Sequence, residues 1–111
     1  MGPFVKGDVV ILSFPFDDDF SQTKRRPAIV VAAPPGLSLV VAQITGQIYT
    51  DSFAIPITSA DFVSGSIHKD SYIRANFLFT VKAKRILQHA GTVTTAKMHE
   101  DTDRIVFLMT N

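Results

Sequence analysis

Three consecutive cations in "SQTKRRPAIVVAAP", residues 21–34, stand directly before an apolar run that begins at Pro27. A guanidinium keeps its charge at physiological pH and can donate two hydrogen bonds to one phosphate. Lys24, Arg25 and Arg26 would present such charges at the rigid edge of a sheet, where a phosphate could be gripped. A simpler role is also open, because charges before a strand solvate a loop and protect the strand end from unwanted pairing.

The elements that would position these cations are mostly β-strands. Val/Ile/Leu-rich patterns predict one strand from about Asp8 to Phe14, closed by Pro15, and a second in "PAIVVAA", whose composition is typical of burial on both faces. The polar stretch between them, Asp17 to Arg26, predicts a long mobile loop. After the turn residues "PPG", the run "LSLVVAQIT" predicts a third strand, joined to the second as a hairpin.

Two further strands are indicated downstream. "SFAIPIT" contains Pro56, which suits an edge strand because proline has no N–H to donate to a ladder. "SYIRANFLFTV" alternates, so its side chains should divide between two faces. We expect Ile73, Ala75, Phe77, Phe79 and Val81 on the core face, and Tyr72, Arg74, Asn76, Leu78 and Thr80 on the outer face.

The period changes to that of a helix in the C-terminal segment "TTAKMHEDTDRIVFLM". Thr94 can cap its start, and four apolar residues follow at helical spacing, namely Met98, Ile105, Leu108 and Met109. The short apolar run 105–109 leaves a terminal strand open as an alternative. The chain should therefore fold as a small, bent antiparallel sheet or barrel with few helices.

Length and composition restrict the class of protein. With 111 residues, of which 46% are hydrophobic and 19% charged, the chain is expected to form one globular domain over residues 1–111. The absence of cysteine excludes a disulfide framework and a thiolate nucleophile. No apolar run is long enough for a bilayer and the N-terminus lacks the pattern of a signal peptide, so we expect a cytoplasmic protein with no membrane contact.

The charged residues are clustered although they nearly cancel, since the formal net charge is +1. Any binding of nucleic acid must therefore depend on local groups of cations. These are Lys24 to Arg26, then Lys69 with Arg74, and then Lys82, Lys84 and Arg85. The three histidines, His68, His89 and His99, are separated by 21 and 10 residues, which matches no compact metal-ligand motif, so we expect neither a metal nor another cofactor.

Four segments in one order and spacing resemble the MazF/PemK family of toxins from bacterial type II toxin–antitoxin modules. They are "GDVVILSFPF" at Gly7–Phe16, "KRRPAIVV" at Lys24–Val31, "VAQITGQI" at Val41–Ile48 and "DSYIRANFLFTV" at Asp70–Val81. Each pattern is weak alone, but four in register are specific. The resemblance implies a mainly β, SH3-like barrel of the kind also found in CcdB-type toxins, a homodimer, and metal-independent cleavage of single-stranded RNA.

The resemblance also assigns roles to side chains. Cleavage of RNA without a metal uses the 2′-hydroxyl as nucleophile, so the protein must accept its proton, stabilise the phosphorane and assist the leaving 5′-oxygen. Arg26 would be the main phosphate contact, Thr45 a hydroxyl donor to that phosphate, and Arg74 a second catalytic arginine. Further RNA contacts would come from Lys24, Arg25, Gln47, Lys69 and Asn76.

The general base is not assigned by the resemblance. Asn76 stands where the PemK branch has an acidic residue, and Ser21 stands where parts of the family have another. A neutral amide cannot accept a proton at physiological pH. The base could be one of Asp17 to Asp19, or His68, or a water molecule while the arginines supply electrostatic stabilisation.

Two kinds of function remain open. One is a sequence-selective endoribonuclease toxin whose RNA groove is covered by a small, acidic, partly disordered antitoxin. The other is a catalytically degenerate homologue that binds antitoxin or nucleic acid, which Asn76 and Ser21 favour. A gyrase-poisoning toxin of CcdB type is a more distant third. Phe16 and Phe20 could stack on RNA bases, receive a partner peptide or tether the intervening loop.

Overall fold

Seven antiparallel strands form one sheet in the computed structural model, which describes residues 3–16, 19–48 and 50–111, and one α-helix follows them. The strands are β1 (Asp8–Phe16), β2 (Asp19–Ala32), β3 (Ser38–Thr45), β4 (Ala54–Ile57), β5 (Phe62–Gly65), β6 (Ser71–Lys82) and β7 (Ile86–Val93), and the helix is α1 (Thr95–Thr110). Their order in the sheet is β4-β6-β3-β2-β1-β7-β5. This mainly β half-barrel with a C-terminal helix confirms the predicted fold class.

Each face of the sheet carries a hydrophobic cluster. One hydrophobic cluster contains Ile29 together with Met98 of α1, and we call that side the helix-covered face. A second cluster contains Ala28 and Val30 on the other side, which we call the opposite face. Ala28, Ile29 and Val30 are all 0% exposed, so the predicted burial of β2 on both faces is confirmed.

The predicted loop at Asp17 to Arg26 is wrong over most of its length. Residues 17 and 18 lie outside the described residues, but β2 begins at Asp19 and β1 continues through Pro15 to Phe16. The ladder pairs Pro15 with Thr23 and Phe14 with Lys24. Polar side chains indicate exposure and not backbone conformation, because ladder hydrogen bonds satisfy the peptide groups whatever side chains they carry.

The predicted faces of β6 are also wrong in their second half. Ala42 pairs with Leu78, whereas the next residue of β3, Gln43, pairs with Arg74, so β6 carries extra residues at this point. Such a bulge reverses the alternation of side chains. Leu78 therefore packs in the core of the helix-covered face, while Phe77 and Phe79 are 42% and 39% exposed on the opposite face.

Pro56 lies in β4, which is an edge strand as predicted. β4 pairs with β6 alone, and Lys97 of α1 donates from Nζ to the Pro56 carbonyl oxygen over 2.7 Å. The cation therefore ties the edge strand to the helix.

The C-terminal helix is confirmed and the alternative of a terminal strand is wrong. Thr94 accepts a hydrogen bond at Oγ1 from the Lys97 amide over 3.1 Å, which is the expected cap, and α1 then continues to Thr110. Within the described ranges, no helix combines the length and apolar character that crossing a bilayer demands. β5 and β7 were not predicted from the sequence.

Candidate functional site

The pairing register brings Arg26, Thr45 and Arg74 to one face of three neighbouring strands. Ala28 of β2 pairs with Gln43 of β3, and Gln43 pairs with Arg74 of β6. Two positions further along their strands stand Arg26 and Thr45, so continuation of the same register sets them opposite each other. All three side chains then belong to the opposite face, since they share the side of Ala28.

Strand alternation separates the two neighbouring arginines. The β1–β2 ladder runs without a shift from Val9 to Pro15, and it pairs Leu12 with Arg26 and Ser13 with Arg25. Arg26 therefore shares the face of Leu12, whereas Arg25 projects to the helix-covered face. Arg25 is exposed and Arg26 is half-buried. Two residues that look equivalent in the sequence occupy different environments.

An open cleft with a volume of about 890 Å³ lies at this end of the sheet. Six of the eight predicted site residues line it, namely Lys24, Arg25, Arg26, Thr45, Gln47 and Lys69. Its wall is completed by residues between β5 and β6 and by β7, among them Ser66, His68 and Gln88. The sequence did not indicate Ser66 or Gln88, because it did not predict the strands that place them.

Thr45 has the environment of a positioned hydroxyl. It is 6% exposed, and its Oγ1 accepts a hydrogen bond from the Gln47 amide over 3.2 Å. That bond uses an oxygen lone pair and leaves the O–H proton to donate elsewhere. The arrangement suits donation to an anionic oxygen bound at this end of β3.

Lys69 lies against the loop that follows Thr45. A Cβ atom built on Gly46 would overlap Cε of Lys69, so the aliphatic part of this lysine crosses the glycine backbone. Ser71 Oγ donates to the Lys69 carbonyl oxygen over 2.9 Å, which holds the backbone that carries the lysine. The missing side chain at Gly46 leaves room for Lys69 to lie across the loop, and a larger residue there would displace the end of the lysine side chain.

Arg74 and Asn76, the other two predicted site residues, do not line the cleft. The guanidinium of Arg74 lies 3.9 Å from the ring centroid of Phe77, and its Nη2 lies 3.8 Å from Asp51 Oδ2. The Arg74 side chain is 12% exposed. Asn76 is half-buried, and within the described part of the chain its Oδ1 is buried without a hydrogen-bond partner.

Among the residues that the structure describes, the cleft is lined by cations and by no carboxylate. Over the same residues, Lys24, Arg25, Arg26 and Lys69 form no ion pair, whereas Lys97 pairs with Asp61 and Glu100 elsewhere. Clustered, unneutralised cations attract polyanions such as nucleic acid. Nowhere in the described ranges do three histidine or acidic side chains gather closely enough to hold a metal ion.

The candidate bases are distributed as follows. His68 lines the cleft. Asp17 and Asp18 lie outside the described residues, while Asp19 belongs to β2. Ser21 and Phe20 also belong to β2, and Phe16 ends β1.

The family model of PemK-like, MazF-like toxins of type II toxin–antitoxin systems matches residues 5–107. No curated protein sequence matches the chain. Among solved structures, a crystal structure of MazF from Deinococcus radiodurans has a TM-score of 0.74 at 15% identity and covers 96% of each chain. An endoribonuclease in complex with its cognate antitoxin, from a mycobacterial species, has a TM-score of 0.69 at 14% identity, covering 96% of this chain and 94% of the other.

A third similar structure is the MazE–MazF complex from Deinococcus radiodurans, with a TM-score of 0.74 at 15% identity and coverage of 96% and 95% of the two chains. At these identities, the likeness to solved structures concerns the fold alone.

Proposed function

Because this chain belongs to the PemK-like, MazF-like family of type II toxins, we propose that it is an endoribonuclease that cuts single-stranded RNA without a metal. The proposal is supported by one observation above all, that Arg26 and Thr45 both line a cleft whose described lining holds cations and no carboxylate. Action on messenger RNA places the protein in the cytoplasm.

The proposed reaction is attack of a ribose 2′-oxygen on the adjacent phosphorus atom. Charge develops on the nonbridging oxygens as the phosphorane forms, and a positioned guanidinium stabilises this charge more in the transition state than in the ground state. Arg26 donates two hydrogen bonds to these oxygens, and Thr45 adds a third from its hydroxyl. The P–O5′ bond then breaks and the 5′-oxygen takes a proton from water, which produces a 2′,3′-cyclic phosphate and a free 5′-hydroxyl.

The remaining cleft residues are proposed to bind the RNA strand. Lys24, Arg25 and Lys69 hold the RNA backbone, and Gln47 contacts the strand beside Thr45. Arg74 acts at longer range, because Asp51 and the Phe77 ring hold its guanidinium outside the cleft. His68 or a water molecule accepts the 2′-hydroxyl proton, since Asn76 cannot.

Two partners complete the proposal. The similar mycobacterial and Deinococcus structures include complexes with an antitoxin. We propose that a small, acidic, partly disordered antitoxin covers the basic cleft here and blocks RNA. We also propose that the chain forms a homodimer, since Phe77 and Phe79 expose apolar surface beside Arg74.

The test is cleavage of a mixed-sequence, single-stranded RNA by the wild-type protein in excess EDTA. We expect discrete fragments that end in a 2′,3′-cyclic phosphate, and no cutting of the same RNA carrying 2′-O-methyl groups, because the nucleophile is blocked. An RNA left intact, or cut only after a divalent metal is added, would contradict the mechanism.

A second candidate function is supported by Asn76 and Ser21, which replace two acidic residues of the family. A protein without a competent base would bind RNA or antitoxin and cut nothing. Binding of the 2′-O-methyl RNA without cleavage of the unmodified RNA would select this function.

A further inference from the structure

A second group of exposed cations lies at the connection between β6 and β7. Lys82 ends β6, and Lys84 and Arg85 belong to the short 3-10 turn Ala83–Arg85 that leads into β7. We call Lys82, Lys84 and Arg85 the turn cations. They form no ion pair with any carboxylate in the described ranges, so their charge is available to an external anion.

The sheet register brings the Arg85 end of this turn towards Arg26, whereas Lys82 pairs with Ser38, at the other end of β3 from Thr45, so the turn cations extend away from Arg26. Leu12 of β1 pairs with Arg26 on one side and with Ile86 on the other. Two strand spacings put the Cα atoms of Arg26 and Ile86 about 10 Å apart. The side chains of Leu12, Arg26 and Ile86 share the opposite face. Arg85 directly precedes Ile86 in the chain.

The backbone of the turn is held in place by the core. The Ala83 amide donates to the Leu37 carbonyl oxygen over 2.8 Å, and Ala83 and Ile86 pack against the cluster of the opposite face. The turn cations, with Thr80 and Val81, border a shallow depression of about 430 Å³. Cations on a fixed backbone lose less conformational freedom on binding than cations on a mobile loop.

We infer that the turn cations form a second phosphate-binding strip, which holds RNA nucleotides flanking the phosphodiester at Arg26. The inference rests on the proposed function, since it assigns the strip to the strand that Arg26 cleaves. Lysine and arginine on phosphates contribute affinity without reading sequence. The strip should therefore tighten binding of RNA that extends beyond the cleft, and leave the chemical step unchanged.

The experiment compares wild-type protein with the triple variant Lys82→Gln, Lys84→Gln, Arg85→Gln. Fluorescence anisotropy measures binding of 2′-O-methyl RNAs of about 4 and about 16 nucleotides over a series of salt concentrations. For the longer RNA, we expect at least about a tenfold loss of affinity, and a slope of log K against log salt that is shallower by about 2, since each phosphate contact on a single strand contributes about 0.7. Affinity for the shorter RNA should not change.

Single variants provide matched controls that remove one charge each. Lys84→Gln should reduce the salt slope by about 0.7, whereas Lys6→Gln, on an exposed lysine beside Asp101 of α1, should not change it. Circular dichroism and thermal unfolding check that each variant keeps its fold. If the triple variant unfolds, the salt slopes of the single variants still test the inference.

Three outcomes would contradict the inference that the turn cations bind flanking phosphates. The triple variant could bind long RNA with the wild-type slope, or lose affinity for short and long RNA equally, which would indicate a general effect of charge. In both cases the wild-type protein still binds RNA, so the proposed function stands. Wild-type protein that binds neither RNA at low salt would overturn the proposed function and the strip together.

Discussion

At the scale of single residues, Arg26 differs from its neighbour Arg25 by the face of β2 that each occupies. Arg26 shares a face with Thr45 and Arg74, and Arg25 does not. A transition-state contact needs a fixed position, whereas a contact to the RNA backbone tolerates a mobile one. The two arginines should therefore respond differently to substitution.

Arg26→Ala should lower the cleavage rate by about a hundredfold or more, equivalent to about 3 kcal/mol of transition-state stabilisation. Arg26→Lys should not restore the rate, because lysine keeps the charge and loses the two-pronged geometry. Arg25→Ala is the matched control, and it should raise KM with little change in kcat. Measurement of kcat and KM for the three variants gives the comparison. Equal losses in kcat for Arg26→Ala and Arg25→Ala would contradict the assignment.

Thr45→Val should reduce kcat by a large factor, although a smaller one than Arg26→Ala does. The substitution keeps the shape of the side chain and removes only the hydroxyl. Thr45→Ser retains the O–H and should recover most of the rate. Thr45 is 6% exposed, so thermal unfolding must accompany the kinetics to separate chemistry from stability. A Thr45→Val protein with wild-type kcat would remove the hydroxyl from the mechanism.

The resemblance in sequence singled out Arg26, Thr45 and Lys69, and all three line the cleft. It did not locate the guanidinium of Arg74. Its position depends on Asp51, which is remote in the sequence, and on a bulge that turns Phe77 to the same side. Contacts of that kind follow from pairing between strands, which local patterns do not contain.

At the scale of elements, apolar runs predicted β1, the C-terminal half of β2 and β3, and alternation predicted β6. It did not predict β5 or β7, because Gly65 and Gly91 interrupt their patterns. Those glycines permit a close backbone approach, since a Cβ at Gly65 would overlap the Ala90 carbonyl oxygen. The predicted loop failed for the opposite reason, because its polar composition concealed a long ladder.

The helix α1 carries a buried acid that should make stability depend on pH. Asp101 is 0% exposed, and in the described part of the chain neither carboxylate oxygen has a hydrogen-bond partner. Burial raises the pKa of Asp101 from 3.8 to about 6; Glu100 also raises it, while Lys6 and Lys97 act in the other direction. The folded protein therefore binds this proton more tightly than the unfolded chain.

A raised pKa contributes stability that is fully present below the unfolded value of 3.8 and is lost as pH rises through about 6. The loss should be about 3 kcal/mol between about pH 4 and pH 7, since one pKa unit corresponds to about 1.4 kcal/mol. Asp101→Asn should flatten this dependence and stabilise the protein at neutral pH. Urea unfolding across this range measures it, with Asp103→Asn on the exposed side of α1 as control. If the stability of Asp101→Asn depended on pH as the wild-type stability does, Asp101 would not be the group responsible.

At the scale of the whole molecule, a net charge of +1 conceals groups of cations that form no ion pair among the described residues. The cleft lies where β2, β1 and β7 meet, and Arg85 directly precedes this part of β7, whereas Lys82 pairs with Ser38 at the start of β3. Asp51 pairs with Arg74, whereas Asp61 and Glu100 pair with Lys97 of α1. The opposite face also exposes Phe77 and Phe79, and Phe77 lies against the Arg74 guanidinium, so an apolar surface adjoins a proposed site residue.

The adjoining surfaces predict a homodimer that buries the two phenylalanines. Sedimentation velocity at micromolar concentration should return a dimer for the wild-type protein. Phe79→Glu should return a monomer, because two such chains would bring carboxylates into an apolar interface without partners. Val63→Glu, on the edge strand β5 and 68% exposed, is the matched control and should remain dimeric. A wild-type protein that sediments only as a monomer would contradict the dimer, and a dimeric Phe79→Glu would place the interface on another face.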